Sequence, residues 1–316
     1  LQSGQLDYGP FIAMTNNTKK AIEKAGNRMI KAASPVQASV AFNQTKKPFD
    51  KLEVRQAFAH ILERKAITKV GQPVGGMPVE TQSGLIKAMY DAWVDEGTKS
   101  KMIDYKHDPA KAEELLKKAG LSKGGDGNWK LADGKPFKVT LQSVTGFADW
   151  IAGSNVVCSQ LTDFGIPCQV KVSPDFAVYQ EEMAAGKYAF GWWLVSVGTN
   201  PPSAMGRIFG EGYGYTAVGG RAVYKAPTEK DSGNWIGGAQ EITLADGTKV
   251  KPGELTIKMQ QMSPEEQKPV MQQLMQAENA SLPVIGIWDY TNTQWVNEKR
   301  FTNFPDGSDA GIMRLS

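Results

Sequence analysis

Residues 137–172 read FKVTLQSVTGFADWIAGSNVVCSQLTDFGIPCQVKV, and the hydrophobic period changes twice within them. Phe137, Val139 and Leu141 alternate with polar neighbours, the pattern of a strand with one buried face. Trp150, Val157, Cys158 and Leu161 then mark a helix that Gly165 ends, after which Ile166, Cys168, Val170 and Val172 alternate again. Strand, helix and strand in so short a span make a β-α-β unit.

The same alternation of periods extends outward on both sides. Downstream, Phe176, Tyr179 and Met183 predict a helix that stops at Gly186 and leads into the aromatic strand Tyr188-Ala-Phe-Gly-Trp-Trp193. Upstream, Asp108 caps a helix with Pro109 in its first position, Ala112, Leu115, Leu116 and Ala119 on its apolar face, and Gly120 at its end. Residues 37–42 read as a buried strand followed by a polar turn to Pro48, which has no N–H to continue a sheet. Val54, Phe58, Ile61 and Leu62 then recur at helical spacing, leaving Arg55 and Arg64 for the opposite face, solvated or ion-paired. Gly71 to Pro78 reads as a surface loop. Regular pattern is scarce from Ser196 to Gly253, apart from Asp246-Gly247, which reads as a hairpin turn, and loops of that size usually serve binding. Ser263-Pro264-Glu265-Glu266 is a capping box opening a helix with Val270, Leu274 and Ala277, and Pro283 to Trp288 is the last obvious buried strand. Strands alternating with helices imply an α/β fold, a mixed sheet covered by helices on both faces.

Composition bounds the function. The 316 residues are 41% hydrophobic and 22% charged, ordinary for a globular chain. With 36 basic and 33 acidic side chains interspersed, the net charge is +3, and no single-sign field exists to grip nucleic acid or an anionic membrane. No apolar run approaches the roughly 20 residues that span a bilayer. Cys158 and Cys168 lack the spacing of a zinc or thioredoxin-type site, and either one bridge or two small core residues fits them. His60 reads as a satisfied helix side chain and His107 precedes a helix cap, so neither a metal nor a cofactor is expected. No nucleophile elbow, zinc-protease motif, Walker loop or dinucleotide fingerprint occurs, which argues against an enzyme. Two rival classes remain open. A glycoside hydrolase would need two carboxylates roughly 5–10 Å apart, with Asp175, Glu181, Glu182, Glu211, Asp231 and Glu241 as the acids at hand. An interaction module would have no solute cleft.

The order of motifs resembles one family, the extracellular solute-binding proteins of the oligopeptide and dipeptide type that serve ABC importers (family 5). Leu1-Gln-Ser-Gly-Gln-Leu-Asp7 resembles its L-x-S-G-x-x-D element, and Phe42-Asn43 through Pro48-Phe49-Asp50 to Val54-Arg55-Gln56-Ala57 resembles F-N-x(4)-P-F-D-x(3)-V-R-x-A. Asp108-Pro109-Ala110-Lys111-Ala112 with Leu115-Leu116 and Ala119-Gly120 is similar to its D-P-x-K-A-x-x-L-L-x-x-A-G helix, and Gly165-Ile166 with Val170 to its G-I-x-V strand entry. The resemblance implies a lobe of the type II periplasmic-binding-protein kind with remnants of the other lobe. Residues 1–40 would end the first lobe, 41–282 form the far α/β lobe and 283–316 return to the first. The crossings at Phe42-Asn43 and Leu282-Pro283 would be the hinge. It further implies a monomeric receptor, extracytoplasmic in a periplasm or as a cell-surface lipoprotein, that hands a small-molecule solute to the membrane permease of an importer. On this reading the chain is the C-terminal part of a longer protein, with its signal segment outside the sequence.

Two features bear on the solute. In peptide-binding members an Asp shortly after the G-W element pairs with the peptide ammonium, but Gly191-Trp192-Trp193 through Asn200-Pro201 holds no carboxylate. The double Trp, Ser232-Gly233-Asn234-Trp235 and the run from Pro283 to Trp288 instead resemble the cello-oligosaccharide-binding branch. Trp192, Trp193 and Trp235 are therefore expected to wall a sugar, with Asn200 and Asn234 reading hydroxyls. An oligopeptide or dipeptide is the alternative solute, and plain core packing the alternative role for Trp192, Trp193 and Trp288.

Overall fold

The computed structural model describes residues 3, 5–9, 15–195, 201–209, 215–218, 221–224, 241–299 and 302–304. Its main sheet contains β1 (Tyr8–Gly9), β2 (Arg28–Phe42), β3 (Met77–Pro78), β4 (Val139–Val144), β5 (Cys168–Ser173), β6 (Phe190–Val195) and β7 (Val284–Val296). The strands lie in the order β1-β7-β2-β6-β4-β5, with β3 paired to β7 off that path. β4 is parallel to both β5 and β6, while β2 pairs antiparallel with β6 and β7. The helices that carry the core and the site are α1 (Leu52–Ile61), α2 (Arg64–Gly71), α3 (Pro109–Lys118), α4 (Ala148–Asp163), α5 (Phe176–Ala184), α6 (Pro201–Phe209) and α7 (Pro264–Ser281).

The β-α-β unit forms as its alternation predicts, with Val139 beside Cys168 and Val144 beside Ser173 on either side of α4. Cys158 on α4 and Cys168 on β5 form a disulfide. Asp108 caps α3 by accepting from the Lys111 N–H, and the Ser263–Glu266 capping box closes in both directions at the start of α7. The hairpin at Asp246-Gly247 is present, with Ile242–Thr243 paired to Lys249–Val250 and Gly247 at φ +85°.

Side chains of β6 divide between the two faces of the sheet, as strand geometry requires. Phe190 packs with Phe42, Phe49 and Phe58 in one aromatic cluster. Trp192, pointing the same way, lies between Trp150 of α4 and Trp288 of β7. On the other face Trp193 stacks on Tyr179 of α5, and a Cβ at Gly191 would meet Tyr179 Oη at 3.2 Å and Met183 Sδ at 3.3 Å. A side chain at this position would have to push α5 or its side chains back by a few tenths of an ångström.

Several expectations change. Arg55 and Arg64 are buried, not solvated. Arg55 Nη1 donates to Phe49 O at 2.7 Å, Nη2 to Ser281 O at 2.7 Å, and Nε to both Ser281 O and Leu282 O. Arg64 donates to Ala59 O, Val79 O and Tyr105 O. Both guanidiniums thus satisfy carbonyls that leave helices and loops, where helical periodicity alone assigned them to solvent. Met77–Pro78 ends the expected surface loop by adding a strand to β7, and α6 lies inside a region read as irregular. β2 and β7 run 15 and 13 residues, well past the apolar segments that announced them, because Asn292, Thr293 and Gln294 stay buried along the extension. Their register shifts twice: Gly286 pairs with Ser39 and Trp288 with Ala38, which leaves Ile287 extra on β7, and Thr291 pairs with Ala33 and Asp289 with Gln37, so Ser34, Pro35 and Val36 face Tyr290 alone.

Candidate functional site

β4 and β6 are parallel, so their carboxyl ends open on the same edge of the sheet. That edge is where open α/β sheets bind ligands, because the turns leaving the strands diverge there and expose helix N-termini. Here the turn after β4 carries Gly146 and Phe147 into the first turn of α4, and β6 ends with Leu194 and Val195. Gly146 takes φ +92°, the left-handed region that glycine reaches at no steric cost, and nothing lies within 4 Å of where its Cβ would be. The irregular middle of β2 and β7 closes the side.

The result is a hollow of about 350 Å³, within the usual range for small-molecule sites. Phe147, Leu194 and Val36 give it apolar walls, and Ser34, Gln72, Asn292 and Thr293 bring hydroxyls and amides. Asp149 and Tyr290 line it as well, and Asp149 is the one charged residue in its described lining. A larger hollow of about 590 Å³ lies elsewhere, at the end of α1, among Glu63, Lys65, Glu80, Lys99, Asp104 and Lys106. Its interspersed charges are those of a solvated surface, and it does not lie at the strand ends.

Asp149 is held in place from two sides. Its Oδ1 accepts the Trp150 N–H at 2.9 Å, and its Oδ2 accepts the Tyr290 hydroxyl at 2.7 Å. Trp150 Nε1 donates to Tyr290 Oη at 3.0 Å, which commits the phenol's own hydrogen to Asp149. Phe147 packs on Trp150 with ring centroids 4.7 Å apart, and Trp288 meets Tyr290 edge-on at 6.0 Å. Burial raises the Asp149 carboxyl above the ordinary carboxylate range against the opposing effect of these two donors, and it lifts the Tyr290 phenol well above its usual value.

The residues proposed from the sequence are placed differently from one another. Trp192 shows no accessible surface, and its indole N–H donates to Ser154 Oγ at 2.7 Å inside the core. Trp193 is 6% exposed against Tyr179, on the sheet face opposite Trp192. Trp288 is fully buried. Asn200, Asn234 and Trp235 lie outside the described residues. Phe42 sits in the aromatic cluster, Asn43 Nδ2 donates to Gly186 O and Tyr188 O, Leu282 takes φ +42° at the end of α7, and Pro283 O accepts the Phe42 N–H. Sequence reading missed Phe147, Asp149 and Tyr290. Asp149 had a signal, an acid in the first turn of a helix directly after a strand, while Tyr290 lies two residues beyond the apolar run that marked the last strand.

The family of bacterial extracellular solute-binding proteins, family 5 (middle), matches residues 1–216. Di/tripeptide-binding protein 3 of Pseudomonas aeruginosa is 31% identical over 186 residues, which cover 55% of this chain and 30% of that protein. Among solved structures, a mannohexaose-bound periplasmic oligopeptide-binding protein of Thermotoga maritima superposes with a TM-score of 0.74 at 20% identity, covering 98% of this chain and 54% of that one. The oligopeptide-binding protein AppA of Bacillus subtilis, in complex with a nonapeptide, gives 0.69 at 17% identity over 98% and 55%. The chain therefore spans about half the length of these structures and less than a third of that curated relative. With its mixed sheet flanked by helices and that match over its first 216 residues, the chain belongs to the family 5 bacterial extracellular solute-binding proteins.

Proposed function

We propose that this chain supplies one wall of an interlobe cleft in an extracytoplasmic receptor, which binds a short peptide and delivers it to the permease of an ABC importer. The observation that carries this is the hollow where β4 and β6 end, bounded by the two long strands β2 and β7. The peptide class is supported by the relative whose name specifies di- and tripeptides. A disulfide between Cys158 and Cys168 suits an oxidising compartment outside the cytoplasm. The receptor acts by binding alone, as a monomer, with no cofactor.

An oligosaccharide is the second reading. One structural relative was solved with mannohexaose, and the hollow pairs the Phe147 ring with the neutral hydrogen-bonding groups of Gln72, Asn292 and Thr293. Trp193, Asn200, Asn234 and Trp235 remain the proposed additional contacts for such a ligand.

Residues 1–33 and the chain beyond Tyr290 would belong to one lobe and the intervening chain to the other. The bend between them is proposed at Ser34–Val36 opposite Tyr290. Phe42, Asn43, Leu282 and Pro283, the crossing inferred from the motifs, are tied into the aromatic cluster and the end of α7, whereas the register break leaves ladder positions of β2 unpaired.

Thermal unfolding of the full-length protein with di- and tripeptides, and separately with cello- and manno-oligosaccharides, tests the assignment. A solute present at 100 times its Kd adds about 2.7 kcal/mol of stability. A rise in Tm with peptides and none with sugars is expected, and a rise with sugars alone overturns the peptide reading in favour of the second.

A further inference from the structure

We infer that residues 72–77 are a strap laid across the proposed bend, and that Val74 is the positioning residue through which the strap holds the two lobes closed. This rests on the interlobe cleft and the bend at Tyr290 proposed above, and not on the class of solute.

Both ends of the strap are fixed to the far lobe. At its start the Gln72 N–H donates to Thr68 O and ends α2, and at its close Met77 and Pro78 pair with Asp289 and Trp288 while the Val79 N–H donates to Ile287 O. Between those anchors the strap passes the bend. The Thr291 hydroxyl donates to Gly75 O, and Gly75 takes φ +95°, with Thr291 Cβ only 2.9 Å from where its own Cβ would be, so any side chain there would push Thr291 off the strap. Val74, one residue earlier, leaves the far-lobe core altogether. It is 5% exposed and packs in a small cluster, separate from the main core, with Ile22 of the helix Asn16–Lys24, Met29 of β2 and Trp295 of β7. Those three residues fall in the lobe formed by residues 1–33 and the chain beyond Tyr290. Val74 therefore belongs to one lobe by its backbone and to the other by its side chain.

The position of the strap fixes the direction of its effect. Gln72 and Thr291 both line the hollow, which puts the strap on the cleft side of the bend. A contact on that side forms as the lobes fold together and is drawn apart as they open. Trp295 lies five residues past Tyr290. That is about 16 Å along an extended strand, so a rotation of about 15° at the bend moves it by about 4 Å, enough to end a van der Waals contact. The apolar surface that Val74 buries thus favours the closed arrangement alone, and the apparent affinity for any solute that needs closure includes its share. A valine that only filled space would cost stability when truncated and leave affinity as it was.

The experiment uses the full-length protein with trialanine and mannohexaose as probes. It reads Kd by calorimetry and compaction by small-angle scattering in the wild type, Val74→Ala, Ile22→Ala, the double variant and Val157→Ala. Wild type is expected to compact with the probe it binds. Val74→Ala should weaken that probe by about tenfold and need correspondingly more of it to compact. Ile22→Ala removes the other side of the contact and should weaken binding by a similar factor, with the double variant within roughly threefold of either single one, because the two side chains act as one contact. Val157→Ala makes the same truncation in the fully buried core of α4, and should lower Tm while leaving Kd within about twofold. An unchanged Kd in a folded Val74→Ala or Ile22→Ala protein overturns the strap and leaves the cleft and bend standing. Losses that multiply in the double variant do the same. A wild type that binds a probe without compacting, or binds neither, overturns the proposed cleft and the strap with it.

Discussion

Glu278 shows at the scale of one residue what burial does to an acid. Its two carboxylate oxygens are buried without a hydrogen-bond partner among the described residues, and its Cγ lies beside Gly84. Burial pushes its pKa well above the ordinary range, which favours the neutral form in the fold. Because the folded value is raised, its contribution to stability is fully present below the unfolded carboxyl's pKa and is lost as pH rises through the folded one. Glu278→Met removes the proton requirement with little change in volume. It should leave stability near that of the wild type at pH 4 and raise it by about 1–3 kcal/mol at pH 8, read as a Tm difference that grows with pH. Asp149 and Asp289 are also raised by burial, but they are common to both proteins and cancel in the difference. Nothing in the sequence marked Glu278 as buried. Its neighbours on α7 are apolar and polar in turn, and a helix places an acid in the core or in water with the same local pattern.

Between elements, Arg55 joins α1 to the end of α7. Its guanidinium donates to three carbonyls, two of them at Ser281 and Leu282, where a helix end otherwise leaves acceptors unmade. Burial lowers its pKa to about 10, still far above neutrality, so the charge is retained and partnered by dipoles instead of a carboxylate. Arg55→Lys keeps the charge but offers a single nitrogen where a planar fork served three acceptors. It should cost about 2–4 kcal/mol in urea unfolding without altering solute preference. Here the motif was legible and its physical meaning was not. Amphipathic spacing assigns a residue to a helix face, but whether that face meets solvent or another helix depends on chain more than two hundred residues away. The caps of α3 and α7, by contrast, were fully legible, since the donors and acceptors that satisfy them lie three residues apart.

For the whole molecule the decisive feature is a pair of strands that cross the sheet with two shifts in register, the larger of them beside Tyr290. Three residues of β2 face one of β7 at the rim of the hollow, and on the proposed hinge a bend there would change the hollow's width while Phe42 and Asn43 stay fixed. Deleting Pro35 and Val36 leaves one residue opposite one and preserves the alternation of side chains. The full-length variant should fold, fail to compact on adding solute in small-angle scattering, and bind about tenfold more weakly or worse, the loss of roughly 1.4 kcal/mol of contact with the second wall. Wild-type compaction that survives the deletion would move the bend elsewhere. The sequence by itself determined the β-α-β unit around Trp150, most of the core strands and helices, the capped helix ends and the family, because periodicity, caps and motifs are local and are written within a few residues of one another. Only the tertiary structure decided which aromatic side chains are core and which acid lines the hollow. Trp192 and Asp149 differ in this, and the cause is long-range: α4 and β7 come together over β6, bury the tryptophan between Trp150 and Trp288, and leave the carboxylate at the open ends of the parallel strands.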